Sequence, residues 1–186
     1  GGGNKGRNKV IGAVAGAAIG GAVGYSMDNQ AKEVAQSLNT NVNNNPTAAL
    51  DPNQDLIVSN TDNYVKIMFR DDMMFETNSE NPTYAAGTKI AKITTVLQKY
   101  PNTLVQVVGH TDSRGTHAYN LALSEKRATN VGNIINSTGV QNQIFSKGCS
   151  FDKPIALNNS DANMGLNRRV EVYLYPNQQS VIDVCR

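Results

Sequence analysis

Tryptophan is absent from the 186 residues, aromatic side chains make up only 6%, and cysteine occurs twice. Together with abundant asparagine, the lack of tryptophan fits a polar, loop-rich surface without choosing between functions. The two cysteines, Cys149 and Cys185, allow at most one intramolecular disulfide, so a framework of several bridges is excluded. In an oxidising compartment that bridge would pin the C-terminal tail to the loop after Phe145; in a reducing one both thiols stay free. An excess of one charge is also missing: 17 basic and 15 acidic residues give a net charge of +2. No strong field attracts nucleic acid, and no such partner is expected. Neither an HExxH pair nor a nucleophile-elbow motif occurs, which removes the common zinc and serine hydrolase signatures. No methionine-led apolar segment with a cleavage site stands at the start, so the chain is expected to begin inside a longer mature protein. A lipid-bearing cysteine upstream would lie outside it.

What is present centres on Leu104 to Arg127, LVQVVGHTDSRGTHAYNLALSEKR. Leu104, Val105, Val107 and Val108 read as a buried strand that empties into a polar turn, Gly109 to Gly115, followed by a helix. Strand-turn-helix junctions commonly carry binding groups. The turn holds Asp112, and helical spacing puts Asn120, Ser124, Arg127 and Val131 on one face. A helix starting near Thr116 places Arg127 about three turns along, with a guanidinium long enough to lean back toward the turn. One fixed acid and one fixed base sharing a pocket suit a zwitterion, with its ammonium on Asp112 and its carboxylate on Arg127. The plainer reading is an Asp112–Arg127 salt bridge that ties the loop to the helix, since such pairs are common and mostly weak.

The run GHTDSRG, then Tyr119-Asn120, Leu123-Ser124 and Arg127-Ala128, and later Pro154 and Asn167 to Glu171 (NRRVE), resembles the OmpA C-terminal-like domain shared with peptidoglycan-associated lipoprotein and MotB. The resemblance covers about residues 60 to 176, with several motifs in order. It implies a domain that binds peptidoglycan without cleaving it. The diaminopimelate of the stem peptide would be gripped by Asp112 and Arg127, with secondary contacts from Thr111, Asn120, Asn78 and Arg168. It further implies an outer-membrane protein facing the periplasm, with peptidoglycan as partner, and no cofactor, metal or catalytic residue is expected. Two positions depart from the family pattern. Ser150 stands where the GxG segment has its second glycine, and Asn163 where a glycine commonly precedes NRR. Asparagine tolerates left-handed backbone, so the second departure is mild.

Residues Val10 to Met27 carry no charge before Asp28 and place Gly12, Gly16, Gly20 and Gly24 along one helical face. The length just reaches the roughly 18 residues that suggest a membrane span. Half the segment is glycine and alanine, which lowers its apolar content. Three readings follow: a membrane-associating or spanning glycine zipper, a self-association face, or a flexible linker. The segment resembles the glycine zipper ahead of the OmpA-like domain in YiaD-type lipoproteins, down to the exit Gly24-Tyr25-Ser26-Met27-Asp28, which favours the first. A motor-stator role like that of MotB would need a carboxylate inside the span, and none is there.

The expected organisation is therefore a basic start and glycine-zipper segment (1–38), an asparagine- and proline-rich linker (39–55), the OmpA-like domain (56–176) and a C-terminal tail (177–186). In the first, Ala31, Val34, Ala35 and Leu38 continue a helical face. The linker is expected to let the domain reach away from the membrane. Val65, Ile67 and Phe69 mark a half-buried strand, and Asp71 to Asn78 a loop whose acidic pair, Asp71 and Asp72, reads as a solvated turn. Asn81-Pro82 should start a helix with core residues Ala86, Ile90, Ile93 and Leu97, ending at Tyr100-Pro101. The organising helix should end at Gly139. Asn167 to Tyr175 alternates as a last strand, after a short strand or turn at 144–148. The fold class is α/β: a two-layer sandwich, with helices packed on one face of a mixed sheet.

Two other functions are open to these residues. His110, Asp112 and His117 could hold zinc, given a further ligand in reach. His110 is better read as hydrogen-bonded within the turn and His117 as solvated at the helix start. An envelope protein-docking module, with Asp112 and Arg127 purely structural, is the second.

Overall fold

The computed structural model describes residues 20–186. The N-terminal half of the glycine segment, with Gly12 and Gly16, lies outside the described residues. Five strands form one mixed sheet: β1 (Leu56–Asn60), β2 (Val65–Arg70), β3 (Leu104–His110), β4 (Ile144–Gly148) and β5 (Arg169–Tyr175), in spatial order β1-β2-β5-β3-β4. The last strand in sequence is thus the central one, antiparallel to both β2 and β3. Only β3 and β4 are parallel, because the helix α4 (His117–Ser137) connects them as a crossover. Helices α1 (Gly20–Ser37), α3 (Tyr84–Leu97) and α4 pack together and against the sheet, as the sandwich expectation requires.

The apolar periods read from the sequence fall where they should. Val65, Ile67 and Phe69 are fully buried, as are Ile90, Ile93 and Leu97 on α3, and Val170, Val172 and Leu174 on β5. Gly139, at φ +85°, stops α4 after the cap residue Thr138. The start of α3 differs from expectation. Pro82 bridges Phe75 in extended backbone, and Thr83, whose hydroxyl accepts from the Ala86 N–H at 3.2 Å, caps a helix that begins at Tyr84. Three elements gave no usable period: β1, the four-residue helix α2 (Asp71–Met74), and α5 (Asp161–Asn167), which Ser160 caps.

The helix expected to lead into a linker is part of the core. Met27, Ala31 and Val34 on α1 are completely buried, and Ala35 and Leu38 nearly so. Burying a large aliphatic side chain stabilises by about 1.5–3 kcal/mol, enough to hold such a stripe on the sheet. At Gly24 an added methyl would lie 3.0 Å from the Asp62 carboxylate, so this glycine meets the β1–β2 turn of its own domain. Residues 39–55 also differ from a free spacer. The Asn43 N–H donates to Val58 O at 2.8 Å, and buried Arg70 spreads its guanidinium over Ala49 O, Gln54 O and Leu166 O at 3.0 Å each. Among the described residues, no helix is long and apolar enough to cross a membrane.

The second sheet face is covered as well, by the C-terminal tail. Val108, Tyr173 and Tyr175 pack with Val181 and Val184, and Cys149 is bridged to Cys185 with Cα atoms 5.2 Å apart. That explains why all seven residues of β5 are buried although the sequence alternates. Beneath the tail, Glu171 accepts from Arg169 Nε at 2.9 Å and the Tyr173 hydroxyl at 3.0 Å, and its other neighbour is His110 Nε2 at 3.2 Å. Burial alone would raise the Glu171 pKa, but Arg169, His110 and Lys66 together hold it well below the ordinary value.

Candidate functional site

The site is built where β3 and β4 end under α4. Gly109 and Gly148 are register partners on the two parallel strands, and both lie directly beneath the Ser124–Glu125 turn of α4. A methyl on Gly109 would fall 2.3 Å from Ser124 O, and one on Gly148 2.4 Å from the Glu125 N–H nitrogen. Two missing side chains therefore let the helix backbone rest on the sheet, and this seats Arg127 one turn further on. Ser150 joins the same three parts. Its N–H donates to Ser124 Oγ at 3.0 Å, its hydroxyl to His117 O at 2.9 Å, and its carbonyl accepts from the Thr111 N–H at 2.9 Å. Ser150 holds φ +54°, a left-handed conformation that costs a serine on the order of 1 kcal/mol and which its three hydrogen bonds offset. Asn163, the other departure, sits in the first turn of α5, where nothing demands glycine.

All six residues expected at the site line one cavity of about 280 Å³: Asn78, Thr111, Asp112, Asn120, Arg127 and Arg168. Their partners differ from the simplest expectation. Asp112 and Arg127 are not bonded to each other. Asp112 Oδ2 accepts from Arg168 Nη1 at 2.7 Å and its Oδ1 from the Arg114 N–H at 2.8 Å. Arg127 donates through Nη1 to Asp71 Oδ1 at 2.5 Å and through Nε to Ser79 O at 2.9 Å, with its guanidinium carbon 4.5 Å over the Phe75 ring. Asn120 spends its amide on Arg114 O at 2.6 Å and Thr116 O at 3.1 Å, which holds the turn closed around Asp112. Asn78 enters the cavity from a left-handed backbone position at φ +61°, and the Thr111 hydroxyl donates to Asp112 O at 2.9 Å.

Asp71 is the residue that sequence reasoning misplaced. Expected with Asp72 in a solvated turn, it is buried at the head of α2 and paired with Arg127, while Asp72 stays exposed. Burial raises its pKa, and the Arg127 charge opposes that shift only in part. Desolvation correspondingly lowers that of Arg127. The available signal was a charge imbalance: the expected site set Arg127 and Arg168 against Asp112 alone, which calls for a second acid without choosing between Asp71 and Asp72. Tyr119, Leu123 and Phe75 complete the apolar part of the lining.

The zinc grouping does not assemble. His110 is a buried residue of β3 turned toward Glu171 on β5, contrary to its expected bond within the turn. His117 is half exposed at the start of α4 with Asp152 at 3.0 Å, and Asp112 belongs to Arg168. No group of three or more potential metal ligands occurs among the described residues.

The model of the OmpA family matches residues 74–168, which is half of the chain. The chain belongs to the OmpA family. The match takes in all six cavity residues named above and begins just after Asp71. Among curated relatives, the probable lipoprotein YiaD of Escherichia coli is 36% identical over 103 residues, covering 55% of this chain and 47% of that protein. A peptidoglycan-associated lipoprotein of Buchnera aphidicola is 35% identical over 96 residues, covering 51% of this chain and 54% of the relative. The chain thus spans about half the length of these relatives. Among solved structures, the cell wall anchor of the T6SS from Pseudomonas aeruginosa superposes with a TM-score of 0.61 at 28% identity, over 67% of this chain and 90% of that one. The mixed five-stranded sheet with helices on one face is the OmpA-like fold.

Proposed function

We propose that this OmpA-family chain binds peptidoglycan noncovalently through the diaminopimelate of the stem peptide, and so anchors the outer membrane to the cell wall. One observation carries the reading: a cavity of about 280 Å³ holds two acid–base pairs side by side, Asp112 with Arg168 and Asp71 with Arg127. An ammonium and a carboxylate on one carbon can replace these internal partners charge for charge, so a zwitterion enters without leaving a buried charge uncompensated. The relatives support the same reading, one of them a peptidoglycan-associated lipoprotein and one structural neighbour a cell wall anchor. The location that follows is the periplasmic face of the outer membrane, with the glycine-rich residues before α1 as the membrane-associating segment.

The test is titration of soluble peptidoglycan fragments of the diaminopimelate and lysine types, with Asp112→Asn and Arg127→Ala as controls. Saturable binding of the diaminopimelate type, lost in both variants, is expected; removing one partner of a buried charge contact typically costs about 2–5 kcal/mol. Unchanged binding in the variants would refute the site. The internal pairing also supports a second reading, an envelope protein-docking module in which Asp112 and Arg127 are structural. Its signature would be a protein partner retained by the Asp112→Asn variant when neither wall fragment binds the parent chain.

A further inference from the structure

Arg127 is already occupied by a carboxylate of its own chain. Asp71 lies outside the segment that matches the family, on the short helix α2, and the Asp71 and Arg127 side chains are only 11% and 6% exposed. With Nη1 on Asp71 and Nε on Ser79 O, Arg127 has Nη2 left without a protein acceptor among the described residues. Three aspartates (Asp71, Asp72, Asp112) and three arginines (Arg114, Arg127, Arg168) line the cavity, so its formal charge is zero. Arg114 is further drawn outward to Asp161 on α5. A ligand that brings only a carboxylate must therefore share Arg127 with Asp71 while facing two more acids. A ligand that also brings an ammonium compensates Asp71 and Asp112 as its carboxylate takes the arginines. After burial itself, the Arg127 charge acts most strongly on Asp71, and Asp72, Arg168 and Asp112 act on it as well.

We propose that Asp71 is a specificity-determining residue: it masks Arg127 from simple carboxylates and opens it to ligands whose ammonium replaces the guanidinium as the partner of Asp71. The identity of the natural ligand rests on the wall-binding reading above; the mask itself does not. Physically, discrimination of this kind arises because the site repels the wrong ligand as well as attracting the right one.

The experiment uses the full chain, its Asp71→Asn and Asp71→Ser variants, and two probes: a soluble diaminopimelate-type fragment, and pimelate, the same seven-carbon dicarboxylate without amino groups. Calorimetric titration of the parent is expected to give at least a hundredfold preference for the fragment. In either variant pimelate binding should rise at least tenfold, and the preference should fall by at least that factor. Pimelate affinity unchanged within twofold in a variant shown by its melting curve to be folded would overturn the proposal. The serine variant, with space for water beside Arg127, carries the test should the asparagine variant not fold. The parent chain supplies a further readout: the Arg127 Nε–H resonance is expected to move with the fragment and stay in place with pimelate, and an equal response to both would overturn the mask. Failure of the fragment to bind the parent refutes the wall-binding reading alone, because gain of pimelate binding in the variants still decides the role of Asp71.

Discussion

Gly109→Ala and Gly132→Ala place the same methyl group under and within the same helix, and the geometry predicts opposite signs. At Gly109 the new carbon would lie 2.3 Å from Ser124 O, 3.0 Å from Ser124 C and 3.1 Å from its Cα, all backbone of α4. A relaxed carbon-to-oxygen contact needs about 3.3 Å, so the helix must lift by about 1 Å. A gap of that size forfeits a quarter to a half of each dispersion contact along the lifted turn, and overpacking of this kind costs about 1–3 kcal/mol. The Ser150-to-Ser124 hydrogen bond, 3.0 Å in the parent, is strained by the same movement and adds about 1 kcal/mol. A loss of roughly 2–4 kcal/mol corresponds to a fall in Tm of about 4–16 °C at 2–4 °C per kcal/mol for a chain of this size. At Gly132 the methyl would meet Ile144 Cγ2 at 3.5 Å and Val107 Cγ2 at 3.9 Å, ordinary contact distances, in the interior of a helix. There alanine should stabilise by about 0.5–1 kcal/mol through helix propensity. Differential scanning calorimetry of the two variants against the parent reads both shifts. A Gly109→Ala protein melting within 2 °C of the parent would refute the claim that α4 rests on bare backbone, and with it the account of how Arg127 is seated.

Arg127→Ala should cost about 3–5 kcal/mol of stability, because it leaves Asp71 buried and unpaired. Asp112→Asn should cost much less, since its partner Arg168 is 28% exposed and can turn to solvent; denaturant melts at neutral pH compare the two. Opening the Cys149–Cys185 bridge by Cys185→Ser should cost about 3–4 kcal/mol on the chain-entropy model for a 36-residue separation, and tail release should expose Tyr173 and Tyr175 to fluorescence quenchers. Acidification should destabilise the fold. Burial lowers the His110 pKa below its ordinary 6.5, so its contribution is intact above that value and declines below it as the unfolded chain takes up the proton. Glu171 behaves likewise lower down: its contribution is present above the ordinary 4.5 and lost as pH falls through its depressed folded value. Asp71, raised by burial, works in the opposite direction, since acid relieves its desolvation. Melts at pH 7, 5.5 and 4 should therefore show a net decline that is smaller in His110→Gln, which removes the group that titrates in that window, although that variant starts from a lower stability.

The chain order of the motifs and the periods of its apolar residues already determine much of this fold. Val65, Ile67 and Phe69, the α3 stripe and the alternation of β5 report local burial, and burial on one face is written into sequence at a period of 2 or 3.6. The polar turn after β3 and the helix behind it likewise placed Thr111, Asp112, Asn120 and Arg127 in one cavity, because all four lie within 17 residues of continuous strand, turn and helix. What escaped were features that depend on residues far apart in the chain. The covering of the second sheet face by the tail needs the bridge from Cys149 to Cys185, and the packing of α1 on β1 and β2 brings together stripes separated by the asparagine-rich stretch. Asp71 is the sharpest case. Beside Asp72 it looked like half of a solvated turn, and nothing local distinguishes the two. Only the approach of Arg127, 56 residues away, makes one of them a buried partner and leaves the other in water. The sequence by itself determined which groups reach the cavity; the tertiary structure decided which opposite charge each of them holds, because a pairing energy depends on distance in space and burial, neither of which the order of residues records.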